Sequence, residues 1–333
     1  MNRAWKIAAA LALVALVASC APASKASKLK VAMVVSNAFG DKSFFDSAKS
    51  GLDRAQAEFG YTVSTTECHE DINLYAGAIT AAAENHDVII VMGYQFFELV
   101  QQTSRSYPDK KFIYVDANVQ EQPNLAVIDF TESEGSYLAG VLAALGTVDP
   151  NLPKTNPEKK VGIVGGMDIP VIRAFVEGFL AGVKDTDPEV EAFVSFAGSF
   201  EDTEPAATAA RAQIAAGADI LFVAAGGAGL GALAACKDAD VYAIGVDQDQ
   251  RPLDPERILA SMVKDTGQAV YTVLKEIAED SFKGGLRRYG LAQSFVGLDW
   301  GDDPSPVPAA LRQDVDAVAA KVMDGSLRLE LLP

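Results

Sequence analysis

Histidine and cysteine are almost missing from this 333-residue chain, which has two of the first and three of the second. So small a supply leaves little for serine–histidine–acid chemistry, and neither a metal nor another cofactor is expected. The run Cys68-His69-Glu70-Asp71 has ligand-type residues, but on a strand its members alternate between faces and cannot share one ion. Cys68 and Cys236 lie far apart and read as two buried thiols rather than a bridge. Positive charge is scarce too: 28 Lys and Arg against 45 Asp and Glu leave a net charge of −17. That balance speaks against a nucleic-acid partner and against a basic patch that adsorbs to anionic lipid. Long apolar runs are also absent, apart from residues 7–18. At 12 residues, that run falls short of the roughly 20 a membrane span needs.

The run belongs to an address. Arg3 and Lys6 precede it, and it ends in Val17-Ala18-Ser19-Cys20, which resembles a bacterial lipobox. The resemblance implies cleavage before Cys20 and a lipid on its thiol. Residues 1–19 are then a lipoprotein signal peptide, and residues 20–28 a lipidated tether. The protein is expected at the extracytoplasmic face of the cell membrane. Loss of Arg3 and Lys6 takes the charge from −17 to −19.

The remaining length is enough for two domains with ordinary cores. Strand-like runs at residues 29–35, 61–66, 88–92, 112–115 and 125–130 alternate with helical patterns at 47–58, 74–84 and 96–106. A helix over 134–145 follows. A second series opens at Lys159-Lys160-Val161-Gly162-Ile163-Val164-Gly165-Gly166 and mirrors the first. Its strands are read at 190–196, 220–224, 241–246, 258–263 and 295–298, and its helices at 171–183, 204–215, 230–236, 267–282 and 308–323. This is the βαβ pattern of parallel sheets covered on both faces. It predicts an α/β protein of two doubly wound parallel-sheet lobes joined by hinge strands. Lobe 1 is assigned residues 29–130 plus 250–291, and lobe 2 residues 131–249 plus 292–333. The chain crosses between them near Phe130, near Asp247–Asp249 and near Ala292, which makes a cleft able to close on a ligand.

The loop after the first strand, Ser36-Asn37-Ala38-Phe39-Gly40-Asp41-Lys42-Ser43-Phe44-Phe45-Asp46, sits where open α/β sheets hold ligands, beyond the strands' carboxyl ends. A pair of adjacent aromatics there asks for something to pack on, with one of the two capping the domain core.

Five separated motifs appear in order: Gly40-Asp41-Lys42-Ser43-Phe44, Glu134-Gly135-Ser136-Tyr137-Leu138-Ala139-Gly140, Gly226-Gly227-Ala228-Gly229, Gly245-Val246-Asp247-Gln248-Asp249-Gln250 and Ser261-Met262-Val263-Lys264. With the lipobox they resemble the basic membrane protein family, the PnrA-like purine-nucleoside-binding lipoproteins of ABC transporters, over residues 29–300. The resemblance implies the type I periplasmic-binding-protein fold and a binding protein rather than an enzyme. It also implies a monomer that passes a purine nucleoside (inosine, guanosine or adenosine) to a permease and its ATPase subunits.

The same resemblance implies a ligand set. Phe44, or Phe45, and Phe200 sandwich the base; Asp116 accepts hydrogen bonds from it; Asp247 and Lys264 hold the ribose; Gly226 and Gly227 let the backbone approach the sugar. Bland readings stand beside these, with Asp116 as a turn cap, Asp247 and Lys264 as a salt bridge, and Asp249 as a hinge residue. Phe45 departs from the family, which often has Asn there. The preceding loop is shorter than usual, so Asn37, with Ser36 as the alternative, matches the family's base-contacting polar residue. Two rival readings remain. In one, the same fold takes a sugar, amino acid or signal molecule. In the other, Gly227-Ala228-Gly229-Leu230-Gly231-Ala232 followed by Asp247 is a dinucleotide fingerprint, which makes the protein an NAD-dependent oxidoreductase.

Overall fold

The computed structural model describes residues 28–116, 119–120, 122–302 and 304–329. The signal, Cys20 and nearly all of the tether lie outside the described residues. In chain order the first lobe holds β1 (Lys30–Val35), α1 (Phe44–Phe59), β2 (Thr62–Glu67), α2 (Ile72–Asn85), β3 (Val88–Met92), α3 (Phe97–Ser106), β4 (Lys111–Val115) and β5 (Leu125–Phe130). The second holds α4 (Glu132–Thr147), β6 (Lys160–Gly165), α5 (Pro170–Thr186), β7 (Glu191–Phe196), α6 (Thr203–Ala215), β8 (Ile220–Ala224), α7 (Gly229–Asp238), β9 (Tyr242–Asp247) and β10 (Ile258–Lys264). The chain then returns to the first lobe for α8 (Thr266–Ala278) and β11 (Gly285–Tyr289), and ends in the second with β12 (Val296–Asp299) and α9 (Ala309–Met323).

Each lobe is a six-stranded sheet, ordered β11-β5-β4-β3-β1-β2 and β12-β10-β9-β8-β6-β7. Central strands such as β3, with sequence VIIVM, and β8, ILFVA, are buried along their whole length. Helices cover both faces, so these strands carry continuous apolar runs in place of an alternating pattern. Edge strand β2, TVSTTE, is largely exposed and polar. Cys68 and Cys236 are buried free thiols in different lobes.

Three features differ from expectation. The second sheet is not wholly parallel, because β12 runs antiparallel to β10. β10 pairs with β9, Met262 beside Val246 and Val263 beside Asp247, so residues 250–264 belong to the second lobe. The crossing therefore falls at Asp265 and not at residues 247–249. Asp249 is no hinge residue; its Oδ1 accepts from Arg251 N at 3.0 Å in a turn within the second lobe. Lastly, Cys68-His69-Glu70-Asp71 follows β2 as a turn, with His69 and Glu70 at φ 49° and 57°, rather than continuing it.

The three crossings lie together. Thr131, between β5 and α4, donates its N–H to Tyr289 O at 2.9 Å, and Asp265 donates its own to Phe295 O at 2.8 Å. Glu134 Oε2 accepts from Leu291 N at 2.7 Å, which gives that carboxylate a structural role beside the hinge. The Tyr289 and Phe295 rings stack with centroids 4.0 Å apart. Where α8 re-enters the first lobe it presses on α1 so closely that a Cβ on Gly51 would collide with Gly267 O. Thr266 Oγ1 also donates to Phe44 O at 3.0 Å. The start of α1 is thereby tied to the end of β10.

Candidate functional site

The first wall of the cleft is the loop between β1 and α1. Asp41 caps α1: its Oδ1 accepts from Ser43 N at 3.1 Å and Asp46 N at 3.0 Å, and its Oδ2 from Phe45 N at 2.9 Å. These are backbone donors that a helix start leaves unpaired. Burial still raises the Asp41 pKa to about 6, against the lowering effect of those amides and with a smaller push from the Asp247 charge. The cap aims Phe44 at the cleft, while Phe45 turns into the domain core, 6% exposed, with its ring edge-on to Phe44 at 5.1 Å.

The floor is made by strand ends. Asp116 follows β4 at φ 71° and Asp247 ends β9 at φ 67°, a left-handed conformation that aspartate tolerates better than most residues. Lys264 ends β10 and is 3% exposed. Its Nζ lies 2.8 Å from Asp116 Oδ1 and 3.4 Å from Glu132 Oε1. Phe44, Phe175 and Phe130 lie around the ammonium, their centroids 4.9, 5.3 and 5.6 Å away. Lys264 therefore does not form the salt bridge with Asp247 that the bland reading suggested; Asp247 Oδ2 accepts the Ser43 hydroxyl instead. Burial acts to lower the Lys264 pKa, but the carboxylates of Asp116, Glu132 and Asp247 outweigh it and leave the pKa raised. Glu132 and Asp247 are both raised by burial, with the Lys264 charge opposing. Lys264 is thus a fixed cation and hydrogen-bond donor, not a nucleophile.

The second lobe supplies the opposite wall. Phe200 sits in the loop between β7 and α6, and this loop is pinned to the first lobe. Glu70 accepts from Phe200 N at 3.3 Å, Ser199 Oγ at 3.2 Å and Asn37 Nδ2 at 2.9 Å. Gly226 and Gly227 lie against Phe200; a Cβ on Gly227 would stand 3.2 Å from Phe200 O and 3.3 Å from Asp41 Cβ. The Gly227–Ala232 run does have the strand–turn–helix setting of a dinucleotide fingerprint. This turn is tied to the Phe200 loop by Ala228 N donating to Phe200 O at 2.9 Å.

Between the walls lies about 610 Å³ of empty space, a figure that takes in solvent at the open mouth. Asn37, Phe44, Phe45, Asp116, Phe200, Gly226, Gly227, Asp247 and Lys264 all line it. Asn37 brings little free polarity, since its Oδ1 takes the Ser36 hydroxyl at 2.9 Å and its Nδ2 is given to Glu70. Several cleft residues had not been singled out. Asp41, Gln95 and Phe175 line the space, and Glu132 and Glu70 hold lining residues from behind. The capping position of Asp41 was legible as an acid just before a helix, and Glu132 as an acid just after a strand; Phe175 looked like any apolar helix residue. The cleft can hold a flat ring against aromatic walls, with carboxylates and one ammonium reaching polar groups at its edge.

A sequence model of the family described as ABC transporter substrate-binding protein PnrA-like matches residues 28–329. The chain is 30% identical to the ABC transporter nucleoside-binding protein BmpA of Lactococcus lactis subsp. cremoris, covering 96% of each chain. It is 29% identical to Basic membrane protein A of Borreliella afzelii, covering 89% of each. Among solved structures it is similar to an ABC transporter solute-binding protein of Aeropyrum pernix K1, with a TM-score of 0.82, 26% identity, and coverage of 91% of this chain and 94% of the other.

Proposed function

The chain belongs to the PnrA-like family of ABC transporter substrate-binding proteins, and from that membership we propose that its cleft captures a purine nucleoside for an importer. The observation that carries this reading is the placing of Phe44 and Phe200 on opposite lobes of one cleft whose floor holds Asp116, Asp247 and Lys264. A base between two rings gains apolar burial plus stacking of about 0.5–1.5 kcal/mol per ring pair. The carboxylate of Asp247 suits two neighbouring ribose hydroxyls, and Lys264 suits a hydroxyl or ring oxygen. The floor's excess of carboxylates over ammonium disfavours an added phosphate, so the ligand is neutral. Cys20 carries the lipid, the closed form is handed to the permease, and no bond of the ligand is made or broken. The relative described as nucleoside-binding supports the ligand class.

Thermal melting with inosine, guanosine, adenosine, cytidine and ribose tests the reading. Ligand at about 100 times its dissociation constant stabilises by about 2.7 kcal/mol. The purine nucleosides are expected to raise the melting temperature, and cytidine and ribose are not. No shift with any purine nucleoside, after removal of co-purified ligand by unfolding and refolding, overturns it.

A further inference from the structure

Three buried side-chain oxygens among the described residues have no hydrogen-bond partner in the protein: Gln95 Oε1, Ser136 Oγ and Gln213 Oε1. Of these residues only Gln95 lines the cleft. A buried acceptor left unpaired carries its desolvation cost uncompensated, and native proteins keep few of them. Gln95 lies in a short 3₁₀ turn, Tyr94–Phe96, directly after β3. The turn is held firmly on both sides. Phe96 is wholly buried against Tyr75, ring centroids 4.8 Å apart, and the Tyr94 hydroxyl reaches Met167 Sδ of the other lobe at 3.3 Å. Tyr114 Oη donates to Gly93 O at 3.1 Å just before it. A Cβ on Gly93 would collide with Ser36 Oγ and stand 2.8 Å from Gln95 Oε1, so both side chains lie close over the glycine. Of the other polar residues lining the cleft, Asn37 is engaged with Ser36 and Glu70, and Asp116 with Lys264.

Resting on the nucleoside reading, we propose that Gln95 is a specificity-determining contact, its Oε1 accepting a hydrogen bond from an N–H on the edge of the bound base. A carboxamide sets an acceptor beside a donor, the complement of a purine edge that sets an N–H beside a carbonyl oxygen or ring nitrogen. The site therefore selects bases bearing an N–H over otherwise similar bases without one.

Calorimetric titration of the parent protein and Gln95→Met with inosine, adenosine and purine riboside tests this, since purine riboside has no base N–H. The parent is expected to bind inosine or adenosine at least about ten-fold more tightly than purine riboside, the size of one well-made hydrogen bond. Gln95→Met is expected to erase that gap while leaving purine riboside within about two-fold. The ligand-free variant is expected to melt no lower than the parent, because Met fills the position without an orphaned acceptor. No gap in the parent, a gap that persists in Gln95→Met, an equal loss for all three nucleosides, or a destabilised ligand-free variant each overturns the Gln95 assignment alone. A parent that binds none of the three overturns the nucleoside reading and the assignment with it.

Discussion

Ser43 and Asp247 stand 204 residues apart in the chain and come from opposite lobes, yet the Ser43 hydroxyl donates to Asp247 Oδ2. The bond gives the Asp247 carboxylate a partner in the ligand-free cleft. A sugar hydroxyl that takes over this oxygen replaces one hydrogen bond with another, so Asp247 is held ready at little cost. Asp247→Ala is expected to weaken nucleoside binding by about 1.5–3 kcal/mol, the range for bonds to a charged group. Ser43→Ala is expected to leave binding nearly unchanged. Calorimetry on the two variants checks this, and a loss for Ser43→Ala as large as for Asp247→Ala would contradict it.

The aromatic walls make a second prediction. Phe44→Ala and Phe200→Ala are each expected to weaken purine-nucleoside binding by more than about 1 kcal/mol, through lost burial and stacking. Asp168→Ala serves as the comparison, because Asp168 forms an exposed pair with Arg173, Nε to Oδ1 at 2.7 Å, and such pairs contribute little. Equal affinities for all three variants and the parent would remove the rings from the site.

Glu70 joins the lobes by accepting from Asn37 on one side and from Ser199 and Phe200 on the other. Glu70→Ala is expected to open the ligand-free cleft, seen as a larger radius of gyration in small-angle scattering. Nucleoside affinity should fall about three- to ten-fold, since one set of the contacts that favour closure is lost. An unchanged scattering profile would show that the lobes are held by other contacts.

Stability should depend on pH through buried carboxyls. Burial raises Asp41 and Asp219 from the ordinary 3.8 to about 6, although Asp219 accepts from Asn156 N and from the Thr147 hydroxyl. Between those values the folded protein binds protons that the unfolded chain does not, so these groups make stability fall as pH climbs from about 4 to about 6. Melting of the ligand-free protein across that window is expected to show the fall, and Asp219→Asn to make it shallower. A rise in stability over the same window that is identical in both proteins would refute the assignment.

What could be read in advance follows the physics of each element. Strands such as β3 and β8 announce themselves as short unbroken apolar runs, and their helices by periodicity. β11, Gly285–Tyr289, was missed because its sequence GLRRY has two arginines and lies at a sheet edge. β10 was recognised as a strand but placed in the wrong lobe, since periodicity reveals that a segment is extended and not which sheet it joins. In the cleft, the family resemblance brought together residues as distant as Phe44 and Lys264. It said nothing of Glu70 or Gln95, whose importance lies in which neighbours they do or do not have. Pairings across two lobes leave no mark on local sequence.

The triple crossing also governs how the molecule can be made. At residue 250 a growing chain has neither α8 to lie on α1 nor β11 to flank β5, and its second sheet still lacks β10 and β12. Neither lobe is one contiguous stretch of chain, so neither completes its sheet before the other is nearly complete. A polypeptide interrupted in that interval presents the open edges of β5 and β9, which invite pairing with other chains. Shielding of the first edge therefore waits on β11, which ends at Tyr289, and that of the second on β10, which ends at Lys264.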